Sequence, residues 1–403
     1  MSNRIDRDAK GIRGDHTMSY TAKRLLLTGN HAVAWAVKRV RPHVAPLYPI
    51  TPQTPILEKL TDFQSKGELE GTELLTPESE HSAMAACISA SLTGVRVFTA
   101  TSSQGLLLMH ELLHYAAGAR ARIVLFNVNR TPASPWGFWP DQLDSLSQRD
   151  TGWVQLYSES PQESLDTTIQ AYRIAELIGV PIMISHDAFY VSHAMEPVEV
   201  PSQQQVDEFL PPFACDHFLD PKRGQSFGAP LDQQNWNRSR REMAAAMARV
   251  FAAVTDAGKK WGETSGRDYA PLECYRMDGA TTVIVTMGSM CGTAREAVDA
   301  LQDKGNRVGL LKVRLFRPFP VAALKEALAG VSCAIVLDRN FSCGLGGILH
   351  QELKAALYGL KPAPKIHGLL SGVGGVNVSV NKIKQWVSEY AGAVPVNESL
   401  WVE

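Results

Sequence analysis

The chain has little of what announces several protein classes. It carries 6 cysteines in 403 residues, Cys87, Cys215, Cys274, Cys291, Cys333 and Cys343, and no two form a C-x-x-C pair. That spacing excludes an iron–sulfur or structural zinc site built within the chain. It is also far from the density of a secreted disulfide scaffold, so free thiols in a reducing compartment are expected. Charge of one sign is missing too: Lys+Arg 40 against Asp+Glu 41 leaves a formal net charge of −1. Such a balance excludes a chain that grips nucleic acid or an anionic membrane through bulk charge. The longest apolar runs fall short of the ~20 residues that cross a bilayer. The opening MSNRIDRDAKGIRGDHTMSYTAKR is charged and has no apolar core of a secretory signal. A cytoplasmic protein with a flexible tail over residues 1–24 is the expectation.

What is present is an ordinary globular composition, 45% hydrophobic and 20% charged, long enough for two or three domains. Short apolar runs alternate with helical spacing: LLLTGN (25–30), VAPLYPIT (44–51), VRVFTAT (95–101), RIVLFNVN (122–129) and PIMIS (181–185). This alternation predicts parallel βα units and an open, doubly wound α/β sheet. A helix is predicted from Pro77, with Thr76 as N-cap, and another over 161–178. Prolines and the polar run DQQNWNRSRRE (232–242) then mark a connector with one helix at 242–256. A second α/β unit is predicted from TTVIVTMG (281–288) through RVGLLKV (307–313) to CAIVLD (333–338).

The most conspicuous motif is His110-Glu111-Leu112-Leu113-His114 on a predicted helix. Two histidines at i and i+4 share a face and can ligate zinc, with the glutamate activating a water. A zinc peptidase also needs a third ligand, and Ala117 and Arg120 stand where a metzincin has its glycine and histidine. Otherwise the histidines are hydrogen-bonded members of a mostly buried helix. Gly344-Leu-Gly346-Gly347 and Gly372-Val-Gly374-Gly375 could cradle a phosphate, but neither is a G-x-G-x-x-G or P-loop, and tight turns are the plainer reading. Glu78 and Glu80 fall in the first turn of the helix predicted from Pro77, where carboxylates complement the helix dipole. Small residues at Ala83, Ala86, Cys87 and Ala90 would let another element approach that helix closely. Tyr48–Pro52, Thr101–Gly105 and Asn129–Arg130 end three predicted strands at the edge where open α/β sheets bind ligands. An arginine among those hydroxyls suits a carboxylate or phosphate substrate. A set of ordinary N-caps beside a surface arginine would read the same way.

YPITP (48–52), TPESEHSA (76–83), TSSQGLLLMHE (101–111), RDTGWVQLYSES (149–160), SHAMEPVEVP (192–201) and LFRPFP (315–320) occur in this order. Together they resemble the α subunit of the pyruvate:ferredoxin oxidoreductases, within the 2-oxoacid:ferredoxin oxidoreductase family. The likeness runs from about Leu25 onward. It implies a thiamine-diphosphate pyrimidine-binding domain over 25–235, a linker over 236–275 and a transketolase C-terminal-like domain over 276–403. It implies that Glu80 is catalytic, hydrogen-bonding N1′ of the aminopyrimidine so that the cofactor's C2 proton can leave. By the same resemblance Ser103 and Gln104 join Glu80 around the cofactor, while Thr51 and Arg130 bind the 2-oxoacid. The implied reaction is oxidative decarboxylation of pyruvate to acetyl-coenzyme A and CO2, reversible, with electrons leaving singly through iron–sulfur clusters to ferredoxin or flavodoxin.

The family's G-D-G diphosphate motif has no counterpart here, so Mg2+ and the remaining half-site are expected in a partner β subunit, and [4Fe-4S] clusters in partner subunits including a ferredoxin-like δ beside γ. No metal site is expected in this chain. The family often has an aspartate–histidine pair after the arginine, where this chain reads Trp139-Pro140-Asp141-Gln142. Trp136, Phe138 and Trp139 could shape a pocket for a bulkier 2-oxoacid or pack against a partner. A non-catalytic assembly subunit remains the other reading.

Overall fold

The computed structural model describes residues 22–215 and 217–402. Most of the expected tail lies outside these residues, and Lys23 and Arg24 already belong to a strand.

A 7-stranded sheet forms the first layer. Its order is Leu315–Arg317, Val154–Tyr157, Ile182–Asp187, Ile123–Asn129, Val97–Thr101, Val44–Pro46, Glu73–Leu75. Every neighbouring pair is parallel except the edge strand Leu315–Arg317. IVLFNVN (123–129) is buried at every position, as a central parallel strand covered on both faces must be. Alternate side chains serve opposite layers. Val124, Phe126 and Val128 pack with helices Gly29–Val40 and Pro161–Ile178, whereas Ile123 and Leu125 pack with helices Glu80–Leu92 and His110–Gly118 and with Trp153.

A 6-stranded sheet forms the second unit, ordered Leu400–Trp401, Lys365–Leu370, Cys333–Asp338, Thr282–Thr286, Val308–Val313, Leu272–Tyr275. Only Leu272–Tyr275 runs antiparallel.

Two sequence expectations are corrected. The strand over LLLTGN is Lys23–Thr28, and it pairs antiparallel with Met195–Val200 in a separate ribbon. Its alternation of half-buried Leu25, exposed Leu26 and buried Leu27 suits a ribbon laid over one face better than a central strand. The connector holds two helices, Gln233–Ala248 and Val250–Ser265, not one over 242–256. Val250, Ala253, Val254, Ala257 and Trp261 recur at helical spacing and bury into the first core. Much of the stretch read as linker is therefore packed structure. Finally, LFRPFP of the second half supplies the edge strand of the first sheet, tying the halves together.

Candidate active site

The carboxyl ends of three adjacent strands, Val44–Pro46, Val97–Thr101 and Ile123–Asn129, deliver the expected polar residues to one place. Arg130, 5% exposed, donates from Nη1 to the Thr51 carbonyl at 2.6 Å and from Nη2 to Gln104 Oε1. Ser103 Oγ in turn donates to Gln104 Oε1 at 2.7 Å or to the Thr131 carbonyl at 2.8 Å. A guanidinium carries five N–H groups. These two bonds orient it and leave one hydrogen on each terminal nitrogen, charge-assisted donors of the kind that bind a carboxylate, while the buried Nε has no partner among the described residues. Burial pulls the Arg130 pKa down, and the negative charges of Asp144 and Glu80 oppose that pull. The rings of Trp136 and Phe138 lie 5.3 and 5.9 Å from Arg130 Cζ. They are held there by a tight loop in which the Thr131 hydroxyl meets both the N–H and the carbonyl of Gly137 at 2.7 Å.

Glu80 opens the helix Glu80–Leu92, whose N-cap is Ser79, accepting from the Ser82 N–H at 3.2 Å. The start expected at Thr76-Pro77 is thus corrected: the serine caps, and residues 76–78 lead into it. Glu78 consequently precedes the helix, is exposed, and accepts from the Ser82 hydroxyl. Glu80 behaves differently. It is 7% exposed, and no side-chain hydrogen bond among the described residues ends on its carboxylate. A Cβ added to Gly105 would lie 2.5 Å from Glu80 Oε1 and 2.4 Å from Thr101 Oγ1. The glycine is what makes room for the carboxylate.

Asp144 was not legible beforehand. It is completely buried on the short helix Leu143–Leu146. Its Oδ2 accepts from the N–H groups of Ser103 and Arg130 at 2.9 and 3.2 Å and from Asn127 Nδ2 at 3.1 Å. Its Oδ1 accepts from the Ser145 N–H at 2.8 Å. Burial pushes its pKa up to about 7 in spite of those four donors. An aspartate between Leu143 and Leu146 reads in sequence as the polar side of a surface helix, and only the fold shows it facing inward.

The HELLH motif does not converge. His110, Glu111 and His114 lie on the exposed face of the helix His110–Gly118, which corrects the expectation of a mostly buried helix. His110 Nδ1 is 2.5 Å from Gln148 Oε1, and Glu111 lies 3.7 Å from His81. Among the described residues, no group of three or more His, Cys, Asp or Glu side chains is placed to hold a metal. The second glycine-rich stretch is a turn that docks the two halves. Gly375, at φ 84°, would place a Cβ 2.5 Å from Trp139 Cβ, and its carbonyl accepts from the Tyr190 hydroxyl at 2.8 Å. Beside it Asp187 pairs with Arg339 at 3.2 Å and with the Ser289 hydroxyl at 2.6 Å. Trp139 packs against this turn and still stays half exposed, while Trp136 and Phe138, 55% and 43% exposed, lie beside Arg130.

The family model described as pyruvate flavodoxin/ferredoxin oxidoreductase, thiamine diP-binding, matches residues 35–258, and the model for pyruvate:ferredoxin oxidoreductase core domain II matches residues 280–383. The chain belongs to the pyruvate:ferredoxin oxidoreductase family. Relatives of this family member include the ketoisovalerate oxidoreductase subunit VorA of Pyrococcus horikoshii, 46% identical over 372 residues, 91% of this chain and 93% of that one. The pyruvate synthase subunit PorA of Methanothermobacter thermautotrophicus is 45% identical over 364 residues, 90% of this chain and 94% of that one. Among solved structures, a 2-oxoglutarate:ferredoxin oxidoreductase from Magnetococcus marinus superposes with a TM-score of 0.73 at 22% identity, covering 92% of this chain and 66% of that one. A split-gene transketolase gives 0.52 at 14% identity, covering 90% of this chain and 96% of that one. Both bear out the thiamine-enzyme α/β architecture. The thiamine diphosphate of the oxidoreductase family suits the residues here: a nearly buried carboxylate with no hydrogen-bond partner among the described residues, beside a glycine with no side chain, is a cradle for the edge of an aminopyrimidine.

Proposed function

We propose that this chain is the α subunit of a thiamine-dependent 2-oxoacid:ferredoxin oxidoreductase acting on pyruvate. The observation that carries this reading is the pinned Arg130 guanidinium, on the same sheet edge as the Glu80 carboxylate, which accepts no hydrogen bond among the described residues. Glu80 accepts a hydrogen bond from N1′ of the aminopyrimidine and holds it in the tautomer that lets a proton leave C2. The bound cofactor then supplies the electron sink for decarboxylation. Arg130 binds the 2-oxoacid carboxylate through its remaining N–H pair, and Thr51 lines the same pocket. Ser103 and Gln104 stand beside the cofactor and hold Arg130 in place. The relatives are named as subunits, and this chain likewise works in a multi-subunit complex. A β subunit brings the diphosphate–Mg2+ half-site, and γ and δ subunits with [4Fe-4S] clusters carry electrons to ferredoxin or flavodoxin. Coenzyme A accepts the acyl group.

A second substrate has a specific observation behind it. Trp136 and Phe138 offer exposed aromatic surface beside Arg130, and a branched 2-oxoacid such as ketoisovalerate would rest against it. Purifying the complex with its native partners and comparing kcat/KM for coenzyme A-dependent viologen reduction with pyruvate, 2-oxoisovalerate and 2-oxoglutarate tests both. The highest value with pyruvate is expected. Activity with none of the three would overturn the proposal.

A further inference from the structure

We infer that Asp144, which reaches neither substrate nor cofactor, is the positioning residue that sets the geometry of the substrate-binding arm. This rests on the reading of Arg130 as the carboxylate-binding group. Asp144 sits at the junction of two strand ends. Through Oδ2 it holds the N–H of Arg130, the first residue beyond Ile123–Asn129, and the N–H of Ser103, just beyond Val97–Thr101. Ser103 is a non-glycine residue at φ 47°, in the left-handed region that L side chains disfavour. Its N–H bond to Asp144 helps hold it there. That conformation starts the helix Ser103–Leu108 and aims two side chains. Ser103 Oγ reaches Gln104 Oε1 and the Thr131 carbonyl, and Gln104 Oε1 receives Arg130 Nη2. One carboxylate thus fixes the arginine twice, at its own backbone and through Ser103 and Gln104 at its tip.

The acceptor pattern matters as well as the shape. Among the described residues no lysine or arginine side chain donates a hydrogen bond to Asp144, and its four donors are three backbone N–H groups and one amide. Both oxygens act only as acceptors. Asparagine could keep its one oxygen on Ser103 and Arg130 by turning its NH2 group towards the Ser145 N–H alone. Asp144→Leu removes both acceptors in a side chain of similar shape, and should therefore release Ser103 and Arg130 together.

The test uses the assembled enzyme with its partner subunits. Asp144→Leu is compared with Asp338→Leu, since Asp338 is also a buried aspartate accepting two backbone N–H groups and an asparagine amide, but in the second sheet. If Asp144 positions the arm, Asp144→Leu raises KM for pyruvate about 10-fold or more with thiamine diphosphate content retained, while Asp338→Leu lowers Tm and leaves KM unchanged. Equal KM in both variants overturns the inference. Should Asp144→Leu fail to assemble, Asn127→Ser, which removes one donor to the same oxygen, is expected to raise KM about 3-fold; an unchanged KM there overturns it too. Arg130→Lys is measured in parallel. If that variant keeps the wild-type KM, the parent reading of Arg130 has failed. If it raises KM while Asp144→Leu does not, only the positioning role has failed.

Discussion

Arg130 donates to the backbone carbonyl of Thr51 at 2.6 Å, bridging two loops whose strands are separated by a third. The contact orients the guanidinium without consuming its charge, because a carbonyl is neutral. A carboxylate arriving there meets a cation already held in place, so little side-chain entropy remains to be lost on binding.

Arg130→Lys keeps the charge and loses the planar fork. Loss of one charge-assisted hydrogen bond costs about 1.5–3 kcal/mol, or roughly 10–100-fold in KM for the 2-oxoacid. Steady-state kinetics of the complex, with thiamine content assayed alongside, measure this. Loss of the cofactor with KM unchanged would move Arg130 out of the substrate site.

Gly105→Ala places a methyl group 2.5 Å from Glu80 Oε1 and 2.4 Å from Thr101 Oγ1. The helix Ser103–Leu108 is favoured by alanine, so the backbone itself does not object. The carboxylate must move, and turnover is expected to fall at least 10-fold while the variant still assembles. Wild-type turnover would show that the position of Glu80 is not critical.

Stability should depend on pH through buried carboxylates. Burial pushes Asp144 up to about 7 and Asp141 and Asp338 up to about 6. Unfolded aspartates titrate near 3.9, so between those values the folded state holds protons that the unfolded chain has released. Their contribution to unfolding free energy therefore grows as pH falls from 8 towards 6. Burial holds His186 and His350 down to about 3 and 4. Below about pH 6.5 the unfolded chain takes up protons that these rings refuse, which offsets part of that gain. Urea unfolding of the full chain should give a midpoint at about pH 6 no lower than that at about pH 8. A midpoint still rising at pH 8 would contradict this.

The HELLH histidines lie on an exposed face, and surface substitutions usually change stability by no more than about 0.5 kcal/mol. A His110→Gln, His114→Gln double variant should unfold within that margin of the parent, and metal analysis of both should find no stoichiometric zinc. Zinc present in the parent and lost in the variant would revive the metal reading.

The parallel sheet was legible because its strands, Ile123–Asn129 above all, are uninterrupted apolar runs between helical segments. The meeting of Thr51, Gln104 and Arg130 was legible for a related reason: in such a sheet, polar residues at strand carboxyl ends share one edge. What escaped depends on contacts distant in sequence. Asp144 looks like a surface residue until Ser103 and Arg130, 41 and 14 positions away, are brought to it. Thr76-Pro77 has the local chemistry of a helix start, yet Ser79 caps the helix and so separates Glu78 from Glu80. The helix Val250–Ser265 was obscured by its polar neighbour, Gln233–Ala248, which stays largely exposed.

Glu78 and Glu80 are two residues apart and identical in chemistry, and the account gives them opposite roles. Exchange of the C2 proton of bound thiamine diphosphate, followed in the assembled complex for Glu78→Gln and Glu80→Gln, compares them directly. Positioned groups that aid proton transfer typically contribute ~10²–10⁴-fold. Glu80→Gln is expected to retain the cofactor and slow exchange by that order, with Glu78→Gln near wild type. Equal exchange rates in the two variants would contradict the assignment of Glu80 and with it the half-site this chain is proposed to supply.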